Sequence, residues 1–174
     1  NNLKIKKIEN FVTFLSMLPR ALAKMLELED QIIKIAQQIK NSNSVIFLGR
    51  GYLYPLALEG ALKLKELSYI HAEGFAAGEM KHGPIALIED ELPVIMFLIA
   101  DGFEDKSISN LQEAYSRGAK IILIGDKICI EKASFAHFKI LIPEFLDEFK
   151  AILSPILMSI PAQLLAYHVA KERG

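Results

Sequence analysis

The stretch SVIFLGRGYLYPLALEGALKLKELS, residues 44–68, contains a buried strand, a glycine turn and a helix in direct succession. Its opening SVIFLG is rich in β-branched and aromatic residues and reads as a strand covered on both faces of a parallel sheet. Gly49-Arg50-Gly51 then turns the chain, and Pro55 suits the start of a helix. Free N–H groups at such a turn make it a candidate ligand-binding edge, with a purely structural turn as the alternative.

The helix after this turn carries three charged residues on one narrow face, namely Glu59, Lys63 and Glu66. At about 100° per residue they fall within about 60° of one another. Most other positions are apolar, which predicts a helix buried on most sides. Because isolated buried charges are costly, the three must pair internally or face a cleft. Glu59 and Lys63 have the spacing of an ion pair, which leaves Glu66 as a candidate acid–base or ligand residue.

The loop after this helix contains His82-Gly83-Pro84, and the proline keeps the preceding glycine out of the helical region. A carboxylate and an imidazole can perform general acid–base catalysis without a cofactor. The compact signatures H-E-x-x-H, G-x-S-x-G and G-K-[ST] are absent, and Tyr54 occupies the third glycine position of G-x-G-x-x-G. We therefore expect no metal, no cofactor and no nucleotide site. Cys129 lies in the apolar, strand-like context KICIE and is a poor candidate nucleophile.

The rest of the chain alternates strands and helices. Further strands are expected over residues 68–75, 93–99, 119–125 and 138–142, with an amphipathic helix over 106–117. Apolar residues recur at helical spacing over residues 18–40, which predicts either one helix beginning at Pro19 or two helices with a break near Glu29. Residues 144–171 are also helical, with kinks or breaks at Pro155 and Pro161. This order predicts an α/β fold, a three-layer αβα sandwich with a mostly parallel sheet. We expect a leading helical segment, residues 1–40, that packs on the domain or on a partner, followed by one domain, residues 41–174.

Composition excludes several classes of partner. The 174 residues include 20 basic and 21 acidic side chains, scattered without blocks, for a net charge of −1. Such a chain has no electrostatic footprint for nucleic acid or an anionic membrane. It contains no run of about 18 apolar residues, so we expect a soluble protein with no membrane span. One cysteine fits a reducing cytoplasm, and a start at Asn1 suggests a fragment of a longer protein.

Residues 47–95, FLGRGYLYPLALEGALKLKELSYIHAEGFAAGEMKHGPIALIEDELPVI, resemble the second sugar-isomerase (SIS) domain of the glucosamine-6-phosphate synthase family. The closing PAQLLAYHVA, residues 161–170, is similar to that family's last helix. The resemblance implies a five-stranded parallel sheet and the carboxyl-terminal part of the isomerase region of a glutamine-dependent aminotransferase. In that family an amino-terminal glutaminase releases ammonia, and two SIS domains convert fructose 6-phosphate into glucosamine 6-phosphate.

The resemblance also implies roles for individual residues. Glu66 matches the carboxylate that moves a proton between C1 and C2 of the open-chain sugar, and Lys63 and Glu59 match its neighbours. His82 resembles the histidine that opens the sugar ring, which the family donates across a homodimer interface. The turn Gly49-Arg50-Gly51 takes the place of the Ser/Thr-rich loop that holds the sugar phosphate in the first SIS domain.

Departures from the family pattern limit what we expect of the chain alone. The leading cysteine of the glutaminase, the phosphate-binding loop and the lysine of the carboxyl-terminal tail are not in this sequence. We therefore expect the isolated chain to be inactive and to need the rest of the parent enzyme. Two other interpretations remain open, a non-catalytic sugar-phosphate-binding SIS module and a dimerisation scaffold.

Overall fold

The computed structural model describes residues 2–144 and 147–174. Within them, five strands form one sheet in the order β2-β1-β3-β4-β5, and every neighbouring pair is parallel. The strands are β1 Ser44–Gly49, β2 His71–Ala76, β3 Pro93–Leu98, β4 Lys120–Gly125 and β5 Phe138–Leu141. The helices are α1 Asn2–Leu26, α2 Glu29–Ile39, α3 Tyr54–Ser68, α4 Glu104–Ser116, α5 Lys127–Lys132 and α6 Asp147–Arg173. The predicted αβα sandwich with a parallel sheet is confirmed.

Alternate side chains of the strands build two separate cores, because successive residues of a strand point to opposite faces of the sheet. Phe47 and Phe97 lie in the core that helices α1, α2, α3 and α6 cover. Leu48 and Met96 lie in the other core, which helices α4 and α5 cover together with the 3-10 helix Ala77–His82. Helix α3 and the Ala77–His82 segment are therefore held by opposite faces of the sheet.

The leading segment forms two helices that share the core of the first face. The break falls just before Glu29, close to where the sequence places it, whereas Pro19 lies inside α1 instead of at its start. Met25 of α1 and Ile32 of α2 are fully buried in this core. The buried His168 of α6 lies with its Nε2 2.9 Å from Oε1 of Glu29, which ties the last helix to the start of α2.

Helix α6 is continuous through Pro155 and Pro161, so of the kinks or breaks expected there, the breaks are wrong. Helix α6 packs against α2 and α3, and this packing offsets the loss of the backbone hydrogen bonds that the two prolines cannot make. Residues Ala151–Arg173 form the one helix in the described part of the chain that is long and apolar enough to cross a membrane. More than half of its most apolar window is buried inside the protein, as is usual for a core helix.

Two local expectations also need correction. Ser68 ends α3 and Tyr69 caps it in the left-handed region at φ 59°, so β2 begins only at His71. Cys129 lies in the short helix α5 and not in a strand, although it is fully buried. Asp126 caps that helix, since its Oδ1 accepts a hydrogen bond from the Cys129 N–H. Its Oδ2 accepts another from the Ala100 N–H, after β3.

Candidate functional site

The turn after β1 depends on both of its glycines. A Cβ at Gly49 would lie 2.1 Å from the carbonyl oxygen of Leu53, so only glycine lets the 3-10 helix Gly51–Leu53 approach the end of the strand. Gly51 has φ +55°, which favours glycine for a different reason. The turn follows the carboxyl end of β1, which lies between β2 and β3 in the sheet. The strand order reverses beside β1, so the turn lies at the topological switch point of the sheet.

Arg50 extends from this turn along the carboxyl edge. Its guanidinium lies 5.0 Å from the centroid of the Phe103 ring, a cation–π contact. Arg50 also lines a cleft of about 540 Å³ together with Lys81, Lys106 and Asn110, among others. Lys81, the residue before His82, and the turn after β1 therefore lie at the same edge of the sheet.

The three charges of α3 form one exposed cluster, which we call the α3 stripe (Glu59, Lys63 and Glu66). The Lys63 ammonium lies 2.6 Å from Oε2 of Glu66 and 4.0 Å from Oε1 of Glu59. The tight ion pair is therefore Lys63 with Glu66, and not the Glu59–Lys63 pair that the spacing favours. The hydrogen bond with Glu66 raises the pKa of Lys63, with smaller contributions from the charges of Glu66 and Glu59.

Helix α3 is less buried than the sequence predicts. Residues such as Ala57 and Leu64 are fully buried on the side that faces the sheet. Leu58 and Leu62 are each 44% exposed, and half of the Glu66 side chain is exposed. The expectation that the helix is buried on most sides is wrong, because its outer half has no cover within the described residues. An apolar surface beside charged groups is typical of a surface that another protein covers.

Glu66 and His82 lie at opposite ends of β2. Helix α3 joins two parallel strands, so it begins beside the carboxyl end of β1 and ends beside the amino end of β2. Glu66 is in the last turn of α3, whereas His82 comes after the carboxyl end of β2, a strand of about 17 Å at about 3.3 Å per residue. One chain therefore does not bring these two side chains together.

Two polar residues of α4 contact the segment that carries His82, and sequence reasoning missed both. Asn110 donates a hydrogen bond from Nδ2 to the carbonyl oxygen of Ala77 at 2.8 Å. Glu113 forms an ion pair with Lys81 at 2.6 Å. Their spacing of three residues on one helix face was the available signal. Among the described residues, no group of three or more His, Cys, Asp or Glu could hold a metal ion.

Replacing Glu66 with glutamine should lower the pKa of Lys63 toward its usual value of 10.5, since the hydrogen bond with the Glu66 carboxylate is the main cause of the rise and a neutral amide oxygen stabilises the ammonium less. The measurement is an NMR titration of the Lys63 side chain. A raised pKa in the folded state means that the pair stabilises the chain below about pH 10.5 and that this contribution is lost as the pH rises through the folded pKa. Glu59→Gln is the matched control, and an equal or larger decrease in that variant would contradict the assigned pairing.

The parallel sheet, its two helical layers and the outward-facing α3 stripe define a three-layer α/β domain with a charged site on one helix. A family model described as the SIS domain matches residues 38–173. The chain belongs to the SIS domain family.

Two relatives of this chain carry the name of the same enzyme. The chain is 48% identical over 166 residues to glutamine–fructose-6-phosphate aminotransferase [isomerizing] of Brucella abortus, covering 95% of this chain and 27% of that protein. It is 51% identical over 156 residues to a protein of the same name in Bradyrhizobium diazoefficiens, covering 90% and 25%. The chain therefore spans about a quarter of the length of the curated relatives that it matches.

A solved structure agrees with these relatives. The C-terminal domain of glucosamine-fructose-6-phosphate aminotransferase from Francisella tularensis superimposes with a TM-score of 0.90 at 39% identity. The match covers 97% of this chain and 46% of that structure. This chain is thus similar to about half of a C-terminal domain of that enzyme.

Proposed function

We propose that the chain is the carboxyl-terminal SIS part of the isomerase region of a glutamine–fructose-6-phosphate aminotransferase. The intact enzyme would make glucosamine 6-phosphate from fructose 6-phosphate and glutamine. The observation that carries this proposal is the outward-facing α3 stripe, in a chain that resembles these enzymes over nearly its whole length. A site that is open to solvent in one domain suits an enzyme whose other parts complete it.

In the proposed mechanism, ammonia from glutamine first condenses with the C2 carbonyl of the open-chain sugar, which gives an imine and releases water. Glu66 then takes a proton from C1 to form an enolamine and returns the proton at C2, while the C1 hydroxyl becomes the aldehyde of glucosamine 6-phosphate. Its exposed carboxylate can reach a substrate that lies against α3. Lys63 holds this carboxylate through the 2.6 Å contact and keeps its own positive charge, since its pKa is raised. Glu59 lies on the same stripe and would contact the substrate there. The Gly49-Arg50-Gly51 turn lies at the carboxyl edge of the sheet, as His82 does, so it would contact the substrate in the site that His82 enters.

We propose that His82 opens the sugar ring in the site of a second copy of the protein. The separation of Glu66 and His82 along β2 supports this arrangement, since one site needs both groups near the same sugar. The active enzyme would then be a homodimer with shared sites, in the cytoplasm, with glutaminase and first SIS domains completing each subunit.

Mixing two impaired variants of the full-length enzyme tests this proposal. Glu66→Gln and His82→Ala homodimers should each keep only a small residual isomerase activity, because every site loses one of its two groups. Subunit exchange should restore about a quarter of wild-type activity, since half of the randomly formed dimers contain one intact site. The measurement is glucosamine 6-phosphate formation before and after exchange.

Three outcomes would contradict the proposal. Activity that stays at the residual level after complete subunit exchange would exclude a shared site of this kind. Wild-type activity in either variant alone would remove that residue from the mechanism. Turnover of fructose 6-phosphate and glutamine by the purified chain of 174 residues would show that the chain needs no other parts.

A dimerisation scaffold is the second candidate function, and the exposed Leu58 and Leu62 favour it. Sedimentation tests whether the chain associates, and the isomerase activity of the full-length Glu66→Gln variant separates the two functions, because a scaffold without a catalytic role would leave that activity unchanged. A His82→Ala chain that associates as the wild type does would show that assembly does not depend on the proposed catalytic group.

A further inference from the structure

The 3-10 helix Ala77–His82 is anchored to helix α4 at both of its ends. Ala77 and Met80 are fully buried in the core that α4 helps to form. At the start of the segment, Asn110 donates a hydrogen bond to the Ala77 carbonyl at 2.8 Å. Near the end of the segment, Lys81 forms an ion pair with Glu113 of α4 at 2.6 Å. His82 follows directly after these anchors and is itself exposed.

The two polar anchors differ in strength. Lys81 and Glu113 have side chains that are 46% and 36% exposed, so solvent screens their ion pair and it contributes little. The Asn110 hydrogen bond is partly buried, and the carbonyl that it satisfies belongs to a fully buried residue. Loss of this donor would remove a partly buried hydrogen bond from the carbonyl of a buried residue, which is the costlier change. A carbonyl only accepts, so the amide nitrogen of Asn110 must face it.

The chain on the other side of His82 provides less restraint. Gly83 has φ +141° and nothing lies within 4 Å of a Cβ placed there. The 3-10 helix that follows, Pro84–Leu87, contains no buried residue. The position of the imidazole is therefore set from the Ala77 side, through the contacts with α4.

We infer that Asn110 is a positioning residue for His82. This inference rests on the proposed function, in which His82 opens the sugar ring. Asn110 acts through the Ala77 carbonyl and the 3-10 helix, and not by contact with the sugar. Without its amide, the segment would shift and the imidazole would spend less time in reach of the ring oxygen.

A double-mutant cycle in the full-length enzyme tests this role. Asn110→Ala should lower kcat by about ten- to a hundredfold, the loss expected from misplacing a reacting group by about 1 Å, with KM changed by less than about twofold. The same substitution in a His82→Ala background should cause no further loss, because there is no imidazole left to misplace. A substitution that acted only through general stability would lower activity in both backgrounds. Amide exchange of residues 78–82 in the same proteins should become faster in Asn110→Ala.

Two further variants complete the design. Gln112→Ala changes an exposed neighbour on α4 and should leave kcat and amide exchange unchanged. Asn110→Asp keeps the shape of the side chain but lacks the donor, and it takes the place of Asn110→Ala if that variant does not fold.

The possible results separate this inference from the function on which it rests. Wild-type kcat in Asn110→Ala, together with a lowered kcat in His82→Ala, overturns the role of Asn110 alone. Equal losses from Asn110→Ala in both backgrounds also overturn it. An unchanged kcat in His82→Ala shows instead that the proposed function of His82 is wrong, and the inference fails with it.

Discussion

In the full-length enzyme, Glu66→Gln is expected to lower the rate of isomerisation by about 10²- to 10⁴-fold, the usual contribution of a general acid–base group. Glutamine keeps the size of the side chain and can still accept a hydrogen bond from Lys63, but it cannot take up a proton from C1. The measurement is the rate of glucosamine 6-phosphate formation. Glutamine hydrolysis, measured in the same samples, should keep its wild-type rate because the proposed function assigns it to another domain.

The matched control for this substitution is Glu131→Gln. Glu131 is an exposed carboxylate of helix α5, on the opposite face of the sheet from the α3 stripe. This variant removes the same charge from the protein and should keep the wild-type rate of isomerisation. If Glu66→Gln also keeps that rate, Glu66 is not the proton-transfer group, and the α3 stripe is more simply an ion-paired surface.

The strands could be predicted from sequence because each of the central ones is buried on both faces. Such strands are continuous apolar runs, and SVIFLG at residues 44–49 coincides with β1. Helix ends were harder to predict. Ser68 is the last residue of α3, and its hydroxyl donates a hydrogen bond to the Leu64 carbonyl at 2.6 Å. Pro155 and Pro161 lie inside α6 because tertiary packing overrides local preference there.

Periodicity placed Glu59, Lys63 and Glu66 on one face, but it could not determine what covers that face. An apolar residue on a helix gives the same sequence pattern whether its own domain or another protein buries it. Leu58 and Leu62 are examples. Sequence spacing also favoured the wrong partner for Lys63, since rotamer choice decides between i−4 and i+3 neighbours. The spacing of Asn110 and Glu113 indicated only that they share a helix face, and the structure was needed to show that Asn110 contacts Ala77.

Gly49→Ala is expected to destabilise the chain by about 3 kcal/mol, at the upper end of the cost of overpacking. The new methyl group would lie 2.1 Å from the Leu53 carbonyl oxygen and 2.5 Å from its carbon. Both atoms belong to the backbone, so no side-chain rotation relieves the clash. Either β1 or the start of α3 must move. The measurement is the urea midpoint of unfolding of the chain at constant m-value.

Gly78→Ala provides the control, because a Cβ there has nothing within 4 Å and its φ is not in the left-handed region. This variant should be as stable as the wild type or more stable by about 0.4–1 kcal/mol, since alanine restricts the unfolded chain. Equal midpoints for the two variants would show that β1 and α3 can separate at little cost. The carboxyl edge would then be too compliant to hold Arg50 in a fixed place, and the turn would lose its proposed contact with the substrate.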